Sequence, residues 1–145
     1  MVRVRVKVGK AGIVLPQDAA LLAQACPDLE EWPMRWQYEA TDLAPGAAIV
    51  AAFKPFLIEL LHSNLAKKTF NRHQDSLWQV GGELIRLRQE RPDLRRMRID
   101  RLIHVLIDED GGPLIWPRIS RSEQDAIDAA CRKLYRFLNH STSAE

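Results

Sequence analysis

Cysteine is scarce in this chain of 145 residues: Cys26 and Cys131 are the only two, and neither has CxxC or zinc-ligand spacing. A disulfide-dense scaffold is excluded, and one bridge is the most the pair could form. Cys131 lies on an apolar helical stripe and reads as a small core residue. No uninterrupted apolar run approaches the ~18 residues that mark a membrane span. The N-terminus lacks the apolar run of a signal peptide. The expectation is a soluble cytoplasmic protein with no membrane partner. Charge of one dominant sign is missing too: 21 Lys and Arg stand against 19 Asp and Glu, a net charge of +2. The total therefore points to no particular partner.

The signatures of common chemistry are also missing. There is no G-x-x-x-x-G-K-[ST], no G-x-G-x-x-G behind a strand and no H-E-x-x-H. His62, His73, His104 and His140 are scattered, and none has a cysteine neighbour at zinc spacing. Asp108, Glu109 and Asp110 stand in a row without the alternate spacing of a calcium loop, so they read as surface or salt-bridging carboxylates. The expectation is no enzyme, no catalytic residue, no metal and no cofactor.

What is present is patterning. Val2, Val4, Val6 and Val8 alternate with Arg3, Arg5 and Lys7, the period of a half-buried strand. Gly9 and Gly12 bracket a turn into a second short strand, "IVLP". "QDAALLAQA" reads as a helix and "MRWQYEA", residues 34–40, as a third strand. After Pro45 and Gly46 the period becomes helical. Pro55 is uncomfortable in a helix interior, so a stable start is expected near Lys54. Phe70, His73, Leu77, Val80, Leu84 and Leu87 recur at intervals of three and four. Gly81 and Gly82 interrupt this segment, but the continuous stripe favours an unbroken helix, with Gly81 admitting the close approach of another helix or of Trp78. Pro92 ends that helix, Ile99 to Ile107 form another, and the Ser120/Glu123 capping box opens the last. The fold class read from this is α+β, mainly α. A small N-terminal β-hairpin or sheet (residues 1–49) precedes a bundle of about four helices (residues 50–145).

Although the total charge is balanced, its distribution is not. Residues 67–101 hold 10 basic and 5 acidic side chains, whereas residues 102–145 hold 5 basic and 7 acidic. A local basic stripe is the footprint of phosphate contact. The candidate nucleic-acid contacts are Lys67, Lys68, Asn71, Arg72, Arg86, Arg88, Arg95, Arg96 and Arg98. Such a surface requires the head of the helix and several of the later arginines to share one open face, free of Asp and Glu.

The stretch "LAKKTFNRHQDSLWQVGGELIRL" resembles the core-binding, SAM-like helical domain of tyrosine recombinases and phage integrases. Thr69 matches that family's threonine, His73 its ring position and Leu77 its core leucine, over roughly residues 51–139. The resemblance implies a clamp on double-stranded DNA through Lys67, Lys68, Asn71 and Arg72. It implies no strand transfer, because the family's nucleophilic tyrosine belongs to a separate C-terminal domain. A second stretch, "VRVKVGKAGIVLPQDA", resembles the opening of swapped-hairpin transition-state regulators, with Arg3, Arg5, Lys7 and Lys10 as DNA contacts. The leading expectation is a DNA-binding accessory or regulatory protein. The alternative is a protein-interaction or structural adaptor module docking through the N-terminal ribbon or a Trp32/Trp36 patch. A homodimer joined through the N-terminal strands fits either class.

Overall fold

The computed structural model describes residues 14–143, with side chains to residue 140. Among these described residues seven α-helices follow in chain order: α1 (Pro16–Ala25), α2 (Trp32–Trp36), α3 (Leu43–Leu61), α4 (Lys67–Glu90), α5 (Pro92–Arg95), α6 (Ile99–Leu106) and α7 (Arg121–Ser143). Short 3-10 turns at Leu29–Glu31 and Ala40–Asp42 flank α2. Helices α3 and α4 lie against each other at the centre. α7 packs along α4, while α1 and α2 cover α3.

The α+β expectation is corrected: no β-strand occurs among the described residues, where one isolated bridge, Asp108 to Gly111, closes a turn. The alternating segment before residue 14 lies outside the described residues. The third strand expected over residues 34–40 is instead the end of α2, a turn and a 3-10 turn. Trp32 and Trp36 are four residues apart and both buried, their ring centroids 5.6 Å apart. That is a helical pairing, and Pro33 in the first turn suits it. The alternation of Met34, Trp36 and Tyr38 is coincidental, since Met34 and Tyr38 are exposed.

Helix α3 begins at Leu43, eleven residues before the expected start, and carries Pro55 in its interior. An interior proline costs about 3 kcal/mol relative to alanine. Burial of Ile49, Val50, Phe53, Phe56 and Leu57 along the same helix outweighs it. The segment Ala40–Leu61 is long and apolar enough to cross a membrane by length and composition, yet half of that window is buried inside the fold.

The expected stripe of α4 holds from Phe70 to Leu84: Phe70, His73, Leu77, Val80 and Leu84 are buried, Leu87 is half-buried, and the helix runs unbroken through Gly81 and Gly82. Of the two neighbours expected at Gly81, it is the other helix that approaches, through Trp36 of α2, and not Trp78. A Cβ at Gly81 would lie 2.2 Å from the Trp36 ring. The indole thus lies directly on the α4 backbone and donates from Nε1 to the Trp78 carbonyl at 3.0 Å. The capping box of α7 is present, with Ser120 Oγ accepting from the Glu123 amide at 3.0 Å and Glu123 Oε1 from the Ser120 amide at 2.9 Å.

Candidate functional site

The basic residues expected to share one face divide into two groups. Lys67, Lys68, Asn71 and Arg72 are exposed at the head of α4, where with Asp75 they line an open depression of about 550 Å³. No hydrogen bond or ion pair engages the first four among the described residues. The later arginines are occupied. Arg86 holds Glu83 through two hydrogen bonds (3.0 and 2.8 Å) and also pairs with Glu90. The Arg88 side chain is only 12% exposed, donates to the Arg95 carbonyl and faces the buried Asp42 carboxylate at 4.0 Å. Arg95 donates to the Arg88 and Gln89 carbonyls at 3.0 and 2.8 Å, closing the C-terminal end of α4. Arg98 pairs with Asp100 at 3.4 Å. Arg96 alone of the later set is exposed without a pair among the described residues. At a rise of about 1.5 Å per residue, the two ends of this 24-residue helix stand roughly 35 Å apart.

A more elaborate site lies on another side of α4, where the α2–α3 turn and the segment before α7 meet it. This cleft, of about 360 Å³, is walled by Trp36, Tyr38 and Trp78, by Ile115 and Ile119, and by Arg35, Arg86 and Arg118. Glu83 lies in its wall, 5% exposed. Its Oε1 accepts from Arg86 Nε at 3.0 Å and from Arg118 Nη2 at 2.8 Å, and its Oε2 from Arg86 Nη2 at 2.8 Å. Burial pushes this carboxyl up, but the hydrogen bonds and charges of Arg86 and Arg118 prevail and hold it below the ordinary range.

The cleft is braced from behind. Gln124 Oε1 accepts from the Ile115 and Trp116 amides at 2.8 and 3.0 Å, and Asp128 Oδ1 from the Gly112 amide at 3.1 Å. Gly111 has φ +143°, and a Cβ there would meet Asp128 Oδ1 at 2.6 Å, so the segment lies tight on α7. On the opposite wall, Asp42 Oδ2 accepts from the Tyr38 amide at 2.9 Å while its Oδ1 accepts from Gln89 at 2.8 Å. What faces solvent is aromatic and cationic. Tyr38 is 63% exposed and Trp78 42%, with Met34 at 60% on the same short helix as Arg35. Trp32 and Trp36, expected to form a docking patch, are buried in the core because they pair along one face of α2.

The other reactive groups are inward. His73 is buried and takes Lys133 Nζ on Nε2 at 3.0 Å, while its Nδ1 has no partner among the described residues. Burial, then Lys133 and Arg72, lower its pKa from 6.5. Cys26 and Cys131 are free and buried, and burial pushes both thiols up to about 12. Neither is poised as a nucleophile. Among the described residues no group of three or more His, Cys, Asp or Glu could hold a metal ion.

Sequence reading missed the cleft because its walls come from three separated segments. The pairing of Arg86 with Glu83 and Glu90 at helical spacing was legible. Arg118, 35 residues beyond Glu83, was not. Comparison with protein-family models, curated proteins and solved structures finds no match, and so none with the tyrosine recombinases.

Proposed function

We propose that this chain is a non-catalytic protein-interaction module whose docking surface is the cleft between α2, α4 and the segment before α7. The observation that carries this reading is the exposure of Tyr38 and Trp78 beside Arg35 and Arg118 on a braced concave wall. Tyr, Trp and Arg are the residue types that dominate binding energy at protein interfaces. The later arginines support the same reading, because their intramolecular partners give them structural work. Site-specific photo-crosslinking tests it in cells. Benzoylphenylalanine in place of Tyr38 or Trp78 should trap a protein adduct that the same probe at Glu109, exposed and outside the cleft lining, does not. Equal trapping at all three positions, or none at the first two, would sink the proposal.

Phosphate contact at the head of α4 is the second reading. It is favoured by the open depression that Lys67, Lys68, Asn71 and Arg72 share. Three cations give an expected slope of log affinity on log salt of about −2.7 for duplex DNA. Removing Lys68 and Arg72 should reduce it by about 1.8, and removing Arg95 and Arg98 should leave it unchanged. An unaltered slope in the first variant would refute this reading.

A further inference from the structure

We infer that the occupant of the cleft is an acidic segment of another protein. A carboxylate of that segment lies against Arg118 and Arg35, and a neighbouring aromatic or large aliphatic side chain lies on Trp78 and Tyr38. The inference rests on the interaction-module reading and names the partner's chemistry.

Charge decides the sign of the partner. The cleft is lined by three guanidiniums and one carboxylate, Glu83. Glu83 is buried, and both its oxygens already accept from Arg86 and Arg118, so it offers little to an incoming cation. Arg118 uses one nitrogen on Glu83, and its half-exposed side chain has no other partner among the described residues. Arg35 bonds Glu31 through Nη2 at 3.3 Å, and its side chain is 58% exposed. The N–H donors that remain on these two guanidiniums match a planar carboxylate, which arginine takes in a fork. The exposed carboxylates beside the rim, Glu31 and Glu90, are already paired with Arg35 and Arg86, so a basic segment finds no unpaired acid among the lining residues.

Shape and composition decide the rest. The exposed rings of Trp78 and Tyr38 form an apolar wall beside the guanidiniums, and Ile115 and Ile119 line the same cleft. A volume of about 360 Å³ falls at the low end of ligand-sized clefts and suits one large side chain beside a carboxylate. The walls are already fixed by Gln124, Asp128 and Asp42, so little ordering is required on binding. Trp36 contributes from below, because its indole on Gly81 bonds the Trp78 carbonyl and holds that turn of α4 in register.

The test uses a displayed library of random short peptides, selected on the intact protein and counter-selected on an Arg118→Gln/Trp78→Ala double variant. Circular dichroism and thermal melting first establish that the variant is folded. The expected result is enrichment of sequences with Asp or Glu next to an aromatic or large aliphatic residue. Each enriched peptide should bind about tenfold more weakly to Arg118→Gln, the equivalent of one charge-assisted hydrogen bond. Arg35→Gln, at an exposed position, should weaken the same peptides and leave the fold intact. Enrichment of neutral or basic sequences, no enrichment over the counter-selection, or displacement of the peptides by duplex DNA would overturn the inference. If crosslinking at Tyr38 and Trp78 is undiminished in an Arg118→Gln background, the module reading stands and the acidic partner falls. If crosslinking at those positions never occurs, the module reading itself falls.

Discussion

Replacing Gly81 with alanine isolates the contact on which this fold turns. In an ordinary helix interior the change stabilises by about 1 kcal/mol, because glycine leaves more backbone freedom to lose. Here the new Cβ would lie 2.2 Å from two carbons of the Trp36 ring, where about 3.5–4.0 Å is the normal separation. The indole must retreat by roughly 1.5 Å, and it is almost fully buried. That movement breaks the 3.0 Å bond from Trp36 Nε1 to the Trp78 carbonyl, worth about 1 kcal/mol. Forced repacking adds about 1–3 kcal/mol. The net expectation is a loss of about 2 kcal/mol, read as a lower urea midpoint at unchanged m and a melting temperature about 7 °C lower. Gly82→Ala is the control. Its Cβ would approach Trp36 Cδ1 at 3.2 Å, a shift the ring can absorb, so helix propensity and crowding should cancel to within about 1 kcal/mol. Gly81→Ala as stable as the parent protein, or more so, would refute the seating of Trp36 on α4.

Three further outcomes follow from the charges. Glu83→Gln should cost about 2 kcal/mol at neutral pH by weakening the bonds to Arg86 and Arg118. The Glu83 carboxyl is held below 4.5 in the fold, so its contribution is present above that value and fades as pH falls through the folded pKa. Urea titrations of parent and variant should accordingly converge on the acid side, and a gap that persists at low pH would contradict the pairing. His73 is held below 6.5 by burial, Lys133 and Arg72, so below that pH the unfolded chain binds a proton that the folded one resists. Stability should decline from pH 6.5 downward, and His73→Gln should flatten that decline; identical profiles would count against a neutral buried ring. Arg95→Ala should lower stability by about 1 kcal/mol in thermal melts, through the Arg88 and Gln89 carbonyls it releases. An unchanged melt would show that Arg95 is not the cap of α4.

The helices from Lys67 onward were legible because their signals are local. The three-and-four spacing from Phe70 to Leu87, the stop at Pro92 and the Ser120/Glu123 box each act within a turn or two of chain. Residues 34–40 were misread for the complementary reason. Their alternation mimics a strand, and only the packing of Trp32 and Trp36 against α3 and α4 shows which side chains are buried. Pro55 was read by its intrinsic preference, which the burial of the surrounding helix overrides. The candidate contacts fared in the same way. Lys67, Lys68, Asn71 and Arg72 adjoin on one helix, and they remain together on its open face. Arg86, Arg88, Arg95 and Arg98 stand close in sequence, but each is engaged by an intramolecular partner, and Arg88 is also largely buried, whereas Arg98 stays exposed.

The sequence by itself determined the helical period from Lys67 onward, the inward face of α4 and α7, and the absence of recognised catalytic motifs. These follow from side-chain spacing and from residue types present or missing. Only the tertiary structure decided that Trp36 lies on Gly81, that Glu83 joins Arg86 to Arg118, and that Tyr38 and Trp78 border one cleft. Those relations join segments tens of residues apart. Close packing and the satisfaction of a buried carboxylate select them, and neither is written into any local stretch of chain.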